Sequence, residues 1–268
     1  MLLEDVTAWT QVISRVGILF ITSTSLFVYW RRPGPPKKSR FTTLTAVFIT
    51  HLFCALYVAL YYSFVLLRCT WGYSSYVMAM ATPVCDFMVS MSCAILTLDR
   101  IFVLAAPAQY THWKVSFKLG IATLLFDIAL FSVANGIPQF FLSYQRLIYL
   151  LSILAFAYSV AMALETILYV VLLIALWRFY TNKSNAISRD NKQLIYVVLF
   201  QAVIHTGLAT VPVAANRLMF CFGVDTEVFI TVVYLAFDSS SVSLLLIAVF
   251  TLYQLLPKKS TKVTSFKS

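Results

Sequence analysis

The sequence predicts an all-α membrane protein, a seven-helix transmembrane bundle with its N-terminus outside and its C-terminus in the cytoplasm. Three observations carry that prediction. First, 61% of the 268 residues are hydrophobic and only 11% are charged. The mean hydropathy is +0.86. A soluble domain of this size still needs a polar exterior, so a single aqueous core cannot absorb that much apolar surface. Second, the apolar residues fall into runs of about 20 or more, the length that crosses a bilayer as a helix. Third, Lys and Arg gather in alternate gaps between those runs, the asymmetry that orients membrane proteins. Other classes fall away. Disordered chains are polar and poor in aromatics, whereas this one is 16% aromatic. Seven Gly and eight Pro exclude a collagen-like chain, and five Cys do not make a disulfide framework. A pI near 9.4 would suggest nucleic acid in a soluble protein. Here the bases sit in short gaps between apolar runs, so no nucleic-acid partner is expected. Met1 to Thr10 carries Glu4 and Asp5 and no basic stretch, unlike a cleaved signal peptide.

Seven spans follow along the chain, at about 9–30, 41–67, 76–105, 119–141, 148–177, 194–221 and 228–256. Arg31 to Lys38, with three prolines and four bases, cannot be membrane-embedded helix and ends the first. Arg68 to Ser75 is a short break around Trp71, Gly72 and Tyr73. His112 to Lys118 is amphipathic, and Asn182 to Lys192 is polar and charged. Phe222 to Glu227 is a tight acidic turn. The thinnest boundary is Leu142 to Arg146, and without it the count falls to six. Residues 1–256 are then one transmembrane domain, and 257–268 a short basic tail. Of the 20 Lys and Arg, sixteen lie in the first, third and fifth gaps, their edges and the tail. That side is the cytoplasmic one. The triplet Asn182-Lys183-Ser184 is a glycosylation sequon on that side, and it stays unmodified if the orientation holds. Trp9, Trp30, Trp71, Trp113 and Trp177 all fall near span ends and read as an interfacial belt.

Ionisable groups within spans usually face the bundle interior and mark function. Asp86, Asp127, Glu165, Asp238, His51 and His205 qualify, with Arg217 near a span end. The third span is the most patterned. Thr82, Asp86, Ser90, Cys93, Thr97 and Arg100 recur at steps of four and three, which stacks them on one helical face. Asp86 and Arg100 are 14 residues apart, about 21 Å along a helix. Span six repeats the theme with Gln201, His205, Ala209, Pro212 and Asn216. Its Pro212, taken as the sole mid-span proline, should kink the helix. Span seven sets Asp238 beside Ser239, Ser240 and Ser241. Such groups either meet a ligand or bond neighbouring helices. For Asp127, His51 and Glu165 the two readings weigh equally, while the depth of Asp86 and Asp238 favours a ligand.

At the end of span three stands Leu98-Asp99-Arg100-Ile101-Phe102, followed by Ala106-Pro107-Ala108-Gln109-Tyr110. The first resembles the Asp-Arg-Tyr-type motif of rhodopsin-like G-protein-coupled receptors, the second the Pro-x-x-Tyr stretch that opens their second inner loop. Short loops, the short tail and the run from Asn191-Lys192-Gln193 into Phe200-Gln201-Ala202 are more similar to the serpentine chemoreceptors of nematodes. Departures are clear. Ile101 replaces the motif's aromatic, His51 stands where an Asp is usual, span seven lacks Asn-Pro-x-x-Tyr, and the usual Cys at the outer end of span three is missing.

The resemblance implies a chemosensory receptor without catalysis or cofactor, in the plasma membrane or a sensory cilium. It would bind a small molecule or peptide from outside and activate a heterotrimeric G protein. Thr82, Asp86, Ser90, Glu165, Asn216 and Asp238 are the ligand-binding candidates. Asp99, Arg100, Pro107, Tyr110 and Pro212 are the coupling residues, with Asp99 holding Arg100 at rest and the inner half of span six moving at Pro212. Cys69 and Cys221, near outer ends, could form the bundle's disulfide. The rival is an ion-coupled transporter or ligand-gated channel using the intramembrane carboxylates. An enzyme is not expected: there is no H-E-x-x-H and no Cys/His cluster with metal spacing.

Overall fold

The computed structural model describes residues 2–31, 42–68, 73–136, 144–181, 189–222 and 226–256. These residues hold helices and turns and no strand. In order they are α1 (Leu2–Arg31), α2 (Thr43–Leu66), α3 (Tyr73–Ala105), α4 (Pro107–His112) and α5 (Val115–Phe131), which ends in a π-helical turn, Ser132–Gly136. Then come α6 (Tyr144–Thr181), α7 (Arg189–His205), a second π-helical turn (Thr206–Thr210), α8 (Val211–Cys221) and α9 (Thr226–Leu255). Seven stretches are long and apolar enough to cross a membrane: Asp5–Arg31, Thr43–Leu66, Thr82–Ala105, Val115–Ala134, Phe156–Thr181, Lys192–Asn216 and Asp238–Leu255. The chain is thus an all-helical, multi-pass membrane protein.

Lys and Arg positions misplace several boundaries in the sequence reading. Tyr144 to Arg146, read as a break, are already helical in α6, and the six-span count is set aside. His112 to Lys118 holds the end of α4 and the start of α5. Arg189 to Lys192 opens α7 rather than closing a loop. Charge disfavours lipid burial but not helix, so helices run past the membrane where polarity begins. Pro212 is also not the sole proline inside a span, because Pro83 lies within α3. The chain marks some ends without glycine. Arg68 (φ 52°) and Lys114 (φ 50°) adopt the left-handed conformation where α2 stops and between α4 and α5. Pro107 opens α4 at its first turn, where its missing N–H costs nothing.

Packing makes α3 the centre. Its spanning window is 72% buried, against 28% for α1 and 22% for α5. It touches α2, α5, α6 and α7, while α1 packs between α2 and α9. Two apolar clusters surround it. One gathers Ile18, Cys54, Val58, Val84, Met88 and Leu244. The other, nearer the far end, gathers Leu44, Phe48, Leu96, Tyr169, Leu172, Val198 and Leu255. Gly17 lets α1 approach α9: a Cβ there would stand 3.1 Å from Leu245 Cδ1. Phe200 of α7 stacks on Phe250 of α9, ring centroids 4.1 Å apart. The outside is apolar, with Phe20, Phe156 and Leu125 facing outward. Trp9, Trp30, Trp113 and Trp177 are all exposed, as an interfacial belt requires, and Trp71 lies outside the described residues.

Candidate functional site

The face of α3 read from the sequence is buried along its whole depth: Thr82, Asp86, Ser90, Cys93, Thr97 and Arg100 are all inside the bundle. Three polar clusters hang from it at different heights.

Nearest the start of α1 is a cluster shared by α1, α3 and α9. Arg15 Nη2 donates to Asp86 Oδ1 at 3.2 Å, with 2% and 6% of the two side chains exposed. That burial separates the pair from a surface ion pair, because water no longer screens it. One turn back along α1, Gln11 Nε2 donates to Asp238 Oδ1 at 3.3 Å and Thr7 Oγ1 to Oδ2 at 3.2 Å. Ser241 Oγ closes the ring by donating to Gln11 Oε1 at 2.6 Å. Sequence reasoning did not single out Arg15. Its signal was present: Thr7, Gln11 and Arg15 recur at steps of four, as the polar residues of α3 do.

One turn along α3, Ser90 Oγ donates to Glu165 Oε2 of α6 at 2.7 Å. Tyr169 donates its hydroxyl to Glu165 Oε1, and His205 Nδ1 of α7 stands 3.1 Å from the same oxygen. Gln201 Nε2 in turn donates to the Tyr169 hydroxyl at 2.9 Å. The carboxylate accepts one hydrogen bond on each oxygen, from Ser90 of α3 and Tyr169 of its own helix, and His205 of α7 adds a close polar contact without hydrogen-bond geometry. These contacts join Glu165 to α3 and α7, and its side chain is fully buried.

At the far end of α3, Arg100 donates to Asp99, and Tyr110 of α4 donates to Asp99 Oδ1 at 3.1 Å. Ser116 of α5 reaches Asp99 Oδ2 at 3.4 Å, and Arg100 Nη2 lies 3.4 Å from the Tyr110 hydroxyl. Thr43 at the start of α2 bonds Ser116 through both its backbone N–H and its hydroxyl. The Asp99 carboxylate thus ties α3, α4 and α5 together, and Ser116 carries the link on to α2. Burial, with the neighbouring Asp99 charge, pushes the Tyr110 phenol up to about 12, partly offset by Arg100. It is therefore a proton donor at neutral pH.

The remaining candidates divide. Asp127 of α5 accepts from Thr50 of α2, a helix-to-helix bond, and His51 Nε2 lies 3.9 Å from Cys93 Sγ. Thr82 Oγ1 and Asn216 Oδ1 are buried and bond no other described residue. Pro107 is exposed at the start of α4, and Pro212 follows directly on the π-helical turn of span six. Cys69, the side chain of Cys221, and Asn182 lie outside the described residues. Among the described residues no group of three or more His, Cys, Asp or Glu could hold a metal ion. Compared with protein-family models and with curated proteins, the chain matches none.

Proposed function

We propose that the chain is a plasma-membrane receptor of the serpentine, G-protein-coupled kind, akin to nematode chemoreceptors, which senses a small extracellular molecule or peptide. The observation that carries this is the continuous polar face of α3. It joins a buried charge cluster at one end, Arg15–Asp86, to a clasp at the other, Asp99–Arg100–Tyr110, across about 21 Å of helix. Ligand contact falls to Asp86, Asp238, Thr82 and Asn216, the last two offering buried polar atoms with no partner among the described residues. A ligand shifts the equilibrium only through its differential affinity for the two states, so it must favour one arrangement of this cluster. Release of Arg100 from Asp99 and Tyr110 would then free a cation at the cytoplasmic end, where the basic second and third inner loops favour docking of a G protein. No step in this scheme is catalytic.

A ligand panel in cells, read by G-protein activation, is the test. Arg100→Ala abolishes the response while surface expression is retained; a response unchanged by that substitution ends the coupling scheme. Glycosidase treatment checks the orientation: a gel shift traced to Asn182 would place the third inner loop outside. The transporter or channel reading draws on the same buried groups, Arg15, Asp86, Glu165 and His205. Ligand-driven current or proton flux in reconstituted vesicles would favour it.

A further inference from the structure

The cluster shared by α1, α3 and α9 does not balance its charge. Arg15 and Asp86 offset each other at 3.2 Å. Asp238 brings a second carboxylate, about 18 Å into α9. Its two oxygens accept from Gln11 and Thr7, both neutral, and no cation among the described residues pairs with it. About half of its roughly four lone-pair sites are therefore unused, and the residue is only half-buried. Arg15, Asp86 and Asp238 together carry one surplus negative charge. A carboxylate inside a span without a counter-charge is costly.

Heights within the cluster follow from the helical rise. Arg15 and Asp86 meet, so they stand at one level. Gln11 and Thr82 each come four residues earlier on odd-numbered spans, which run the same way. Both therefore stand about 6 Å nearer the ends where α1 and α3 begin. Gln11 holds Asp238 at that level. Thr82 shares the polar face of α3 with Asp86, and only 5% of it is exposed. Thr97 and Thr123 give their hydroxyls to carbonyls of their own helices, whereas the Thr82 hydroxyl bonds no described residue. A buried hydroxyl left open is uncommon. Arg15 Nε is open as well, but its guanidinium is already held by Asp86. Ile18, Met88 and Leu244, further along the same three helices, form an apolar floor.

We propose that this cluster binds a small organic cation, a primary or secondary ammonium whose N–H groups are taken by Asp238 and Thr82. The site is that of the receptor reading, on which this ligand class rests. An ammonium forms a charge-assisted hydrogen bond with the carboxylate and cancels the surplus charge. An anionic ligand adds to that charge, and an alcohol leaves it standing. A quaternary ammonium supplies the charge but no N–H for either acceptor.

Thermal melting of the purified full chain in lipid nanodiscs tests this. A thiol-reactive dye reports exposure of the buried Cys54, Cys85 and Cys93 in a Cys69→Ser/Cys221→Ser background. The 3-methylbutyl and 2-phenylethyl skeletons are each presented as primary amine, trimethylammonium, alcohol and carboxylate, at constant sodium chloride. The primary amines are expected to raise the Tm by about 5–10 °C at about 100 times Kd. The alcohols and carboxylates leave it unchanged, and the trimethylammonium forms fall between. Asp238→Asn weakens amine binding by about 10–100-fold, and Thr82→Val by about 3–10-fold. Asp127→Asn, whose carboxyl meets Thr50 between α2 and α5, keeps the wild-type affinity. No shift with either amine overturns the proposal. So do equal shifts with the alcohols or the trimethylammonium forms, and so does amine binding unaltered by Asp238→Asn. If Asp238→Asn does not fold, Thr82→Val decides, because its hydroxyl has no bond to a described residue to lose; wild-type amine affinity there also overturns the proposal. Amine binding without G-protein activation refutes the receptor reading alone. Activation by neutral compounds with no amine binding refutes the cation alone.

Discussion

Removing the Arg15 charge should destabilise the bundle more than any surface change. Asp86 accepts from Arg15 Nη2 at 3.2 Å and bonds no other described side chain. Both side chains are almost wholly buried. Arg15→Met keeps most of the volume but leaves the carboxylate alone in a low-dielectric interior. Breaking a buried pair from one side costs about 3–5 kcal/mol, whereas replacing both partners by apolar groups is often neutral. At about 2–4 °C per kcal/mol for a chain of this size, the apparent Tm should fall by about 10 °C. The protein supplies its own reporter. In a Cys69→Ser/Cys221→Ser background, the free and buried Cys54, Cys85 and Cys93 meet a thiol-reactive dye only on unfolding. The double variant Arg15→Met/Asp86→Leu should recover most of the loss. An Arg15→Met protein melting within about 1 °C of wild type would refute the buried-charge argument. So would a double variant no more stable than the single one.

Two further outcomes are expected. Because the folded state raises the Tyr110 phenol from 10 to about 12, its contribution is complete below pH 10 and is lost as pH rises from 10 to about 12. The tyrosinate absorbance difference between wild type and Tyr110→Phe should therefore appear near pH 12; a difference centred near 10 would show that the phenol is not buried in the Asp99 clasp. Gly17 and Gly207 should respond oppositely. Gly17→Val drives a side chain into Leu245 across the α1–α9 contact and should cost about 1–3 kcal/mol. Gly207→Ala enters open space and should be neutral or stabilise by up to about 1 kcal/mol. Both are read from the same dye-based melting curves, and equal Tm changes of the same sign would contradict the packing described.

The face of α3 was legible because a helix converts spacing into position: residues three and four apart must share a side, whatever surrounds them. Asp99 beside Arg100 was legible for the same local reason, and the Tyr110 bond to Asp99 was added by folding. Glu165 shows the limit. Its sequence neighbours are Leu164 and Thr166, and nothing near it announces that Ser90 and His205 will meet its carboxylate. The π-helical turn in span six was also invisible beside Pro212, because an inserted backbone residue leaves no compositional mark.

Seven helices long and apolar enough to cross a membrane were determined by the sequence alone, since hydropathy is summed along one segment, and a backbone satisfied in lipid by its own segment over about 20 apolar residues is a helix. Which of them stands at the centre, and which carboxylate finds which cation, was decided only by the tertiary structure. Arg15 and Asp86 are 71 residues apart in the chain and 3.2 Å apart in the bundle. A charge in a span announces that it needs a partner, but the partner is chosen by how whole helices pack.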